Sequence, residues 1–173
     1  AAVVKVNDGG SVEVLKGVTE LGQGVNTLLA QIVSEVLDID IGRISFATTD
    51  TAFVPYDGGP ISDRSTFYSG NAVKLAAEDV KRQLINVAAE KLRMSPGELV
   101  CRKSRVFVKK VPERPSFSFE DLARYSPSSK EGPIIGKAGF NVKAVPMDPE
   151  TGQSPRPVAY WMYATDAAEV EVD

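Results

Sequence analysis

Apolar and polar residues alternate at the start of the chain: Val4 and Val6, a break at Asp8-Gly9-Gly10, then Val12 and Val14. An Asp-Gly step between two alternating runs marks a hairpin, because glycine supplies the positive φ of a tight turn. Residues 2–7 and 11–16 therefore read as paired strands. After a glycine-rich stretch, Gly17 to Gly24, the period changes to that of a helix. Leu28, Leu29, Ile32, Val33, Val36 and Leu37 recur at three and four, which predicts a helix over 25–37 with one buried face. Asp38 to Gly42 ends it, and Ile44 to Ala47 reads as a strand.

Thr48 to Ser62 shows no period and carries Asp50, Pro55, Asp57, Gly58, Gly59 and Pro60. A loop of this length inside a compact domain is more often functional than idle. The longest helix follows over 65–93, with Val73, Ala76, Ala77, Val80, Leu84, Val87, Ala88 and Leu92 on its apolar face. Lys74, Glu78, Lys81 and Glu90 form a solvated face. Ser95 with Glu98 three residues on reads as a capping box. Leu99–Cys101 and Val106–Val108 read as short strands and Phe119–Tyr125 as a brief helix. Residues 126–133 and 148–157 are Ser/Pro-rich loops, and 138–145 and 158–172 read as further strands. The last strand signal runs to Asp173 without a turn, as expected of a chain cut from something longer.

This order of elements predicts an α+β fold, a mixed sheet with two main helices packed on it, in one compact domain over 1–173. With 173 residues the chain is long enough to bury a core without disulfides or a structural metal. Its charge, -3 from 20 basic and 23 acidic residues, shows no basic block, so nucleic acid is not an expected partner. No apolar run reaches the ~18 residues of a membrane span, and Ala1 to Asp8 lacks the basic start and apolar core of a signal peptide. A cytoplasmic protein without a membrane partner is the expectation. The single Cys101 lies in a strand and reads as a buried small apolar group; Phe140, Tyr160, Trp161 and Tyr163 read as core or as an interface. There is no histidine, which excludes a Ser-His-Asp triad, a Cys-His pair and the usual zinc sites. No catalytic residue and no metal ligand is assigned. Any hard chemistry would come from carboxylates, from a cofactor or from another chain.

Two polar loops end at helix starts. In Thr19-Glu20-Leu21-Gly22-Gln23-Gly24 the glycines either shape a sharp turn, with Asn26 or Thr27 capping the helix, or let backbone N–H groups approach an anion; spacing alone favours the turn. It is neither a GxGxxG motif nor a P-loop. Asp57-Gly58-Gly59-Pro60-Ile61-Ser62-Asp63-Arg64-Ser65-Thr66 precedes the long helix. Its hydroxyls either cap that helix, with Ser62, Asp63 or Ser65 as the cap, or join its free N–H groups around a ligand. Two such junctions in one small domain strengthen the case for a phosphate or pterin lying across both helix ends, and the residues alone stop at two candidate anion-binding helix ends. Glu20, Asp50 and Asp57 are the carboxylates of these loops, and their distances decide whether any two work as an acid/base pair.

The same loops carry a resemblance. Thr19 to Gly24, Thr27, Gln31-Ile32-Val33, Glu35, Leu37, Asp50-Thr51, Pro55, Asp57-Gly58, Ser62 to Thr66 and Gly70-Asn71-Ala72-Val73, with the ending Ala168 to Asp173, resemble the molybdopterin-binding large subunit of the xanthine dehydrogenase/aldehyde oxidase family. The resemblance is dense over 11–95 and returns over 158–173. It implies part of a molybdenum–molybdopterin site in an oxidoreductase that hydroxylates a carbon centre with oxygen derived from water. Iron–sulfur clusters and FAD would sit on partner domains or subunits, and the remainder of the large subunit would complete the site. Carried residue by residue, it implies cofactor contacts from Gly22, Gln23 and Gly24, from Ser62 and Ser65 and, more weakly, from Thr66. Asp63 stands where the family often has serine, an anion placed against the ligand. The family's catalytic glutamate would lie beyond Asp173, so the resemblance implies an internal piece of a large subunit, a cloned domain or a short stand-alone gene product. The alternative is a binding or assembly module that keeps the fold and has lost the cofactor.

Overall fold

The computed structural model describes residues 1–109, 111, 116–161 and 165–172, and the chain divides into two compact units, Ala1–Phe140 and Asn141–Asp173. The first holds every helix and strand described. β1 (Ala2–Val6) and β2 (Val12–Lys16) form the expected hairpin, with Val4 opposite Val14 and Val6 opposite Val12. The turn closes through Asn7 N donating to Ser11 O at 2.8 Å. α1 (Val25–Leu37) carries the chain over to β3 (Ile44–Phe46), which pairs parallel with β2, because a parallel pair needs a crossover of this kind. β7 (Ile135–Ala138) adds to the free edge of β1, giving the order β3-β2-β1-β7.

α2 (Gly70–Leu92) is the spine of the unit. It packs on α1, on β1 and β7, and on a second, three-stranded antiparallel sheet of β4 (Leu99–Arg102), β5 (Arg105–Val108) and β6 (Phe117–Ser118). Short α3 (Phe119–Tyr125) starts at Ser118, whose hydroxyl accepts from Asp121 N at 3.1 Å while Asp121 returns the bond to Ser118 N. The fold is α+β. Val4, Val12, Val14, Leu29, Val33, Val73, Val80 and Leu84 are all fully buried between the four-stranded sheet and the two long helices. Cys101 is buried as expected, and burial pushes its thiol up to about 11, which makes it a poor nucleophile.

Several expectations change. The strand expected over 138–145 lies at 135–138 instead, because pairing with β1 ends at Ala2 opposite Ala138. Glycine at position 136 hid its start, and that glycine is required: a Cβ there would stand 2.1 Å from Ala76 O on α2. No described residue of 158–172 is in a strand; Met162, Tyr163 and Ala164 lie outside the described residues, and Trp161 is 74% exposed rather than core. Phe140 does reach the core, edge-on to Phe67 at 5.5 Å. Two side chains of the face expected to be only solvated make structural bonds. Lys81 Nζ donates to Val36 O near the end of α1 at 2.8 Å, and Glu90 accepts from Lys130 N. The second unit contains no helix or strand among its described residues; Asp148 Oδ1 holds a tight turn by accepting from Glu150 N and Thr151 N.

Gly136→Ala should lower stability by about 1–3 kcal/mol, since strand and helix must separate to admit a methyl group. Gly9→Ala, with nothing within 4 Å of its would-be Cβ, should stay within about 0.5 kcal/mol of the parent. Chemical denaturation of both variants checks the contrast.

Candidate functional site

The first loop is organised by its own carboxylate. Glu20 Oε1 accepts from Gly22 N at 3.0 Å and from Gly24 N at 2.9 Å, and Oε2 accepts from Asn26 N at 3.1 Å. Those backbone bonds, to Asn26 first and Gly24 next, hold the Glu20 carboxyl below its ordinary value. Neither Asn26 nor Thr27 caps α1; Gly24 stands at the cap position with φ 78°, and Glu20 supplies the anion that the helix end favours. The Gln23 carboxamide is exposed and folds back on the loop, accepting from Leu21 N at 2.6 Å and donating to Thr19 O at 3.0 Å.

The second loop turns around Asp57. Its Oδ1 accepts from Gly59 N at 2.9 Å, its Oδ2 accepts from the Ser69 hydroxyl at 2.9 Å, and Arg64 lies 3.7 Å away. Ser65–Ser69, expected as the first turn of the long helix, is instead a π-helical turn in which Gly70 N reaches Ser65 O. Asn71 Nδ2 donates to Phe67 O at 2.6 Å within this wider turn. Arg64 also donates to Gly59 O and lies over the Tyr68 ring. Asp63 therefore plays neither of the parts open to an acid in that position. It does not cap the helix, and Arg64 pairs with Asp57; among the described residues the Asp63 carboxylate makes no hydrogen bond or ion pair. Ser62 is exposed in the left-handed region at φ 52°, Ser65 is buried, and Thr66 is exposed.

What the structure joins is the roots of the two loops. A Cβ on Gly17 would stand 2.3 Å from Pro55 O and 2.8 Å from Asp57 Cβ, so only glycine lets the end of β2 meet the second loop. A cavity of about 200 Å³ opens there, lined by Gly17, Thr51, Val54, Pro55, Tyr56 and Asp57. The loop tips are not bonded to each other: no hydrogen bond or ion pair links Gly22, Gln23 or Gly24 to Ser62, Asp63, Ser65 or Thr66. Beneath the roots lies Lys16, a residue the pattern analysis passed over, only 3% exposed and donating to Val18 O at 2.7 Å. Burial pulls its ammonium below the ordinary lysine value, against the attraction of Glu20 and Asp57. The signal was present in the alternation itself, since Val12, Val14 and Lys16 share the buried face of β2.

The residues fit a neutral hydrogen-bonding heterocycle better than an anion. Gly22 and Gly24 leave open space where side chains would stand, so a flat ligand edge can lie along the backbone. Asn26 Oδ1 is a buried acceptor without a donor, which an N–H of a pterin would complete. Glu20 already takes Gly24 N and Asn26 N at the start of α1, and at the second loop the Arg64 charge is engaged by Asp57 while Asp63 adds a further negative charge. Among the described residues no group of three or more Asp, Glu and Cys side chains could hold a metal by itself.

Because the Glu20 carboxyl is lowered, its contribution is complete above the unfolded glutamate value and is lost as pH falls through the lower folded value. The amide resonances of Gly22, Gly24 and Asn26 should titrate together with one midpoint below the ordinary glutamate range, and Glu20→Gln should abolish that transition. Separate midpoints would mean that Glu20 does not organise the loop.

Comparison with known proteins shows the family. The molybdopterin cofactor-binding domain family matches the chain over residues 1–173. The xanthine dehydrogenase molybdenum-binding subunit of Escherichia coli O157:H7 is 32% identical over 119 residues, 68% of this chain and 16% of that protein. The nicotine 6-hydroxylase large subunit of Paenarthrobacter nicotinovorans is 33% identical over 130 residues, 75% of this chain and 16% of its own length. The crystal structure of Cu,Mo-CO dehydrogenase in its carbon monoxide reduced state superposes with a TM-score of 0.73 at 29% identity, covering 80% of this chain and 18% of that one. The chain thus spans less than a fifth of each of these relatives. It belongs to the molybdopterin cofactor-binding domain family of xanthine dehydrogenase and CO dehydrogenase large subunits.

Proposed function

We propose that this chain supplies part of the molybdenum-cofactor site of an oxidoreductase that hydroxylates a carbon centre with oxygen from water. The observation that carries this reading is the joining of two glycine-containing loops, each at a helix start, on the single root at Gly17. When bound, molybdopterin with its metal supplies the redox chemistry. The chain's own part is to bind and orient it. Gln23 turns its carboxamide outward from Thr19 and Leu21 to the ligand edge, Gly22 and Gly24 let that edge approach the backbone, and Ser62, Ser65 and Thr66 supply the second wall, with Asp63 beside them limiting its charge. The catalytic base and the rest of the pocket come from the remainder of the large subunit, and iron–sulfur and FAD groups from partner domains or subunits. A cytoplasmic location belongs to the same proposal; no helix among the described residues is long and apolar enough to cross a membrane.

A second reading, a binding or assembly module that has lost the cofactor, draws support from Glu20 occupying Gly24 N and Asn26 N and from an Asp63 carboxylate without a partner among the described residues. Molybdenum and pterin content of the purified protein separates the two. On the first reading Gln23→Ala should lower both contents while the cofactor-free Tm moves little, since the two lost hydrogen bonds are exposed and each is worth at most about 1 kcal/mol. Asp63→Ser should raise cofactor affinity and change apo stability by no more than about 0.5 kcal/mol, as befits a side chain without partners. Wild type free of molybdenum and pterin, with Asp63→Ser no better, would establish the assembly module instead.

A further inference from the structure

Lys16 occupies a position that the fold reserves for an apolar side chain. It follows Val12 and Val14 on the inward face of β2, pairs across the sheet with Ala2, and is 3% exposed. An ammonium has three N–H groups to satisfy. One goes to Val18 O at 2.7 Å, at the root of the first loop; the nearest acceptor on the other side is the Thr49 hydroxyl at 3.5 Å, at the root of the second. The next residue, Gly17, touches Pro55 and Asp57 directly. Lys16 is thus pinned at the joint between the loops, and each loop offers it one carboxylate. Glu20 gathers the N–H groups of Gly22, Gly24 and Asn26, and Asp57 gathers Gly59, Arg64 and Ser69. Both attract the ammonium without a direct ion pair. If stability were its only role, a methionine would fill the same volume without the desolvation cost.

We propose that Lys16 is a positioning residue of the cofactor site: its buried ammonium, bonded to Val18 O at the root of one loop and to the Thr49 hydroxyl at the root of the other, sets the spacing between the Gly22–Gly24 backbone and the Ser62–Thr66 turn. The inference rests on the proposed function for what the spacing serves, and for the coupling on the Lys16 bridge from Val18 O to the Thr49 hydroxyl together with the attraction of Glu20 and Asp57 for the ammonium. Without the ammonium the bonds to Val18 O and the Thr49 hydroxyl are lost, and the two loop roots keep only the Gly17 contact between them. The tips have no bond of their own to add to it.

The coupling is tested on the cofactor-free chain by following the Lys16 side-chain resonance through its alkaline titration in wild type, Glu20→Gln and Asp57→Asn. Each neutralisation should lower the Lys16 midpoint, by roughly half a pH unit or more. A midpoint unmoved by either variant overturns the proposal, whatever the chain binds. In the full protein Lys16→Met should reduce molybdenum and pterin content several-fold, and Lys16→Arg, which keeps the charge, should retain more of it than Lys16→Met. Wild-type content in Lys16→Met also overturns the proposal, and the titration arm decides if that variant does not fold. Wild type devoid of cofactor, with the midpoint shifts intact, would sink the proposed function and leave the charge coupling standing.

Discussion

The close approach of Gly17 to Pro55 and Asp57 is the contact on which the rest of the site depends. There is no room at position 17 for a single methyl group, and this brings the end of β2 against a loop more than thirty residues further along the chain. From that point the first loop runs to α1 and the second to α2. The same contact places the Asp57 carboxylate where it reaches Gly59, Arg64 and Ser69, and so fixes the π-helical turn ahead of α2. π turns of this kind frequently mark functional sites. Here the turn has a local cause, a side chain of the preceding loop holding the hydroxyl of its last residue.

Electrostatics then decides which part of a ligand suits the loops. A helix start ordinarily attracts an anion. At α1 that attraction is met in part internally, since Glu20 takes Gly22 N, Gly24 N and Asn26 N, and at the second loop Asp63 adds a further negative charge. What remains open to a ligand is neutral: glycine backbone, an exposed carboxamide and hydroxyls, with the buried orphan acceptor of Asn26 behind them. This matches the edge of a pterin ring. The positive charges of the region, Lys16 beneath the surface and Arg64 beside Asp57, act on the protein's own carboxylates before any ligand.

Period and turn chemistry were enough to read most of the first unit from the sequence. The β1–β2 hairpin, α1 over 25–37, the β4–β5 pair and α3 over 119–125 all stand where alternation, helical spacing and caps put them. Three kinds of feature were not legible. β7 is four residues long and contains a glycine kept for its contact with α2, so it shows no strand pattern. The alternation of Val170 and Val172 with Glu169 and Glu171 is a real strand pattern, yet these residues have no strand partner among those described. The organisation of the site depends on side chains meeting across space. That Glu20 would cap α1 from six residues before Asn26, or that Arg64 would choose Asp57 over Asp63, follows from the path of each loop and from no local motif. Lys16 was legible in principle, as a charged residue at an inward position of an alternating strand.

The central claim is that both loops, joined at Gly17, form one binding surface for the cofactor. Hydrogen–deuterium exchange of cofactor-loaded against cofactor-free protein tests it most directly. The account predicts added protection in residues 20–26 and in residues 59–66 together, with β4 and β5 unchanged. Protection confined to one loop, or found only away from both, would contradict it.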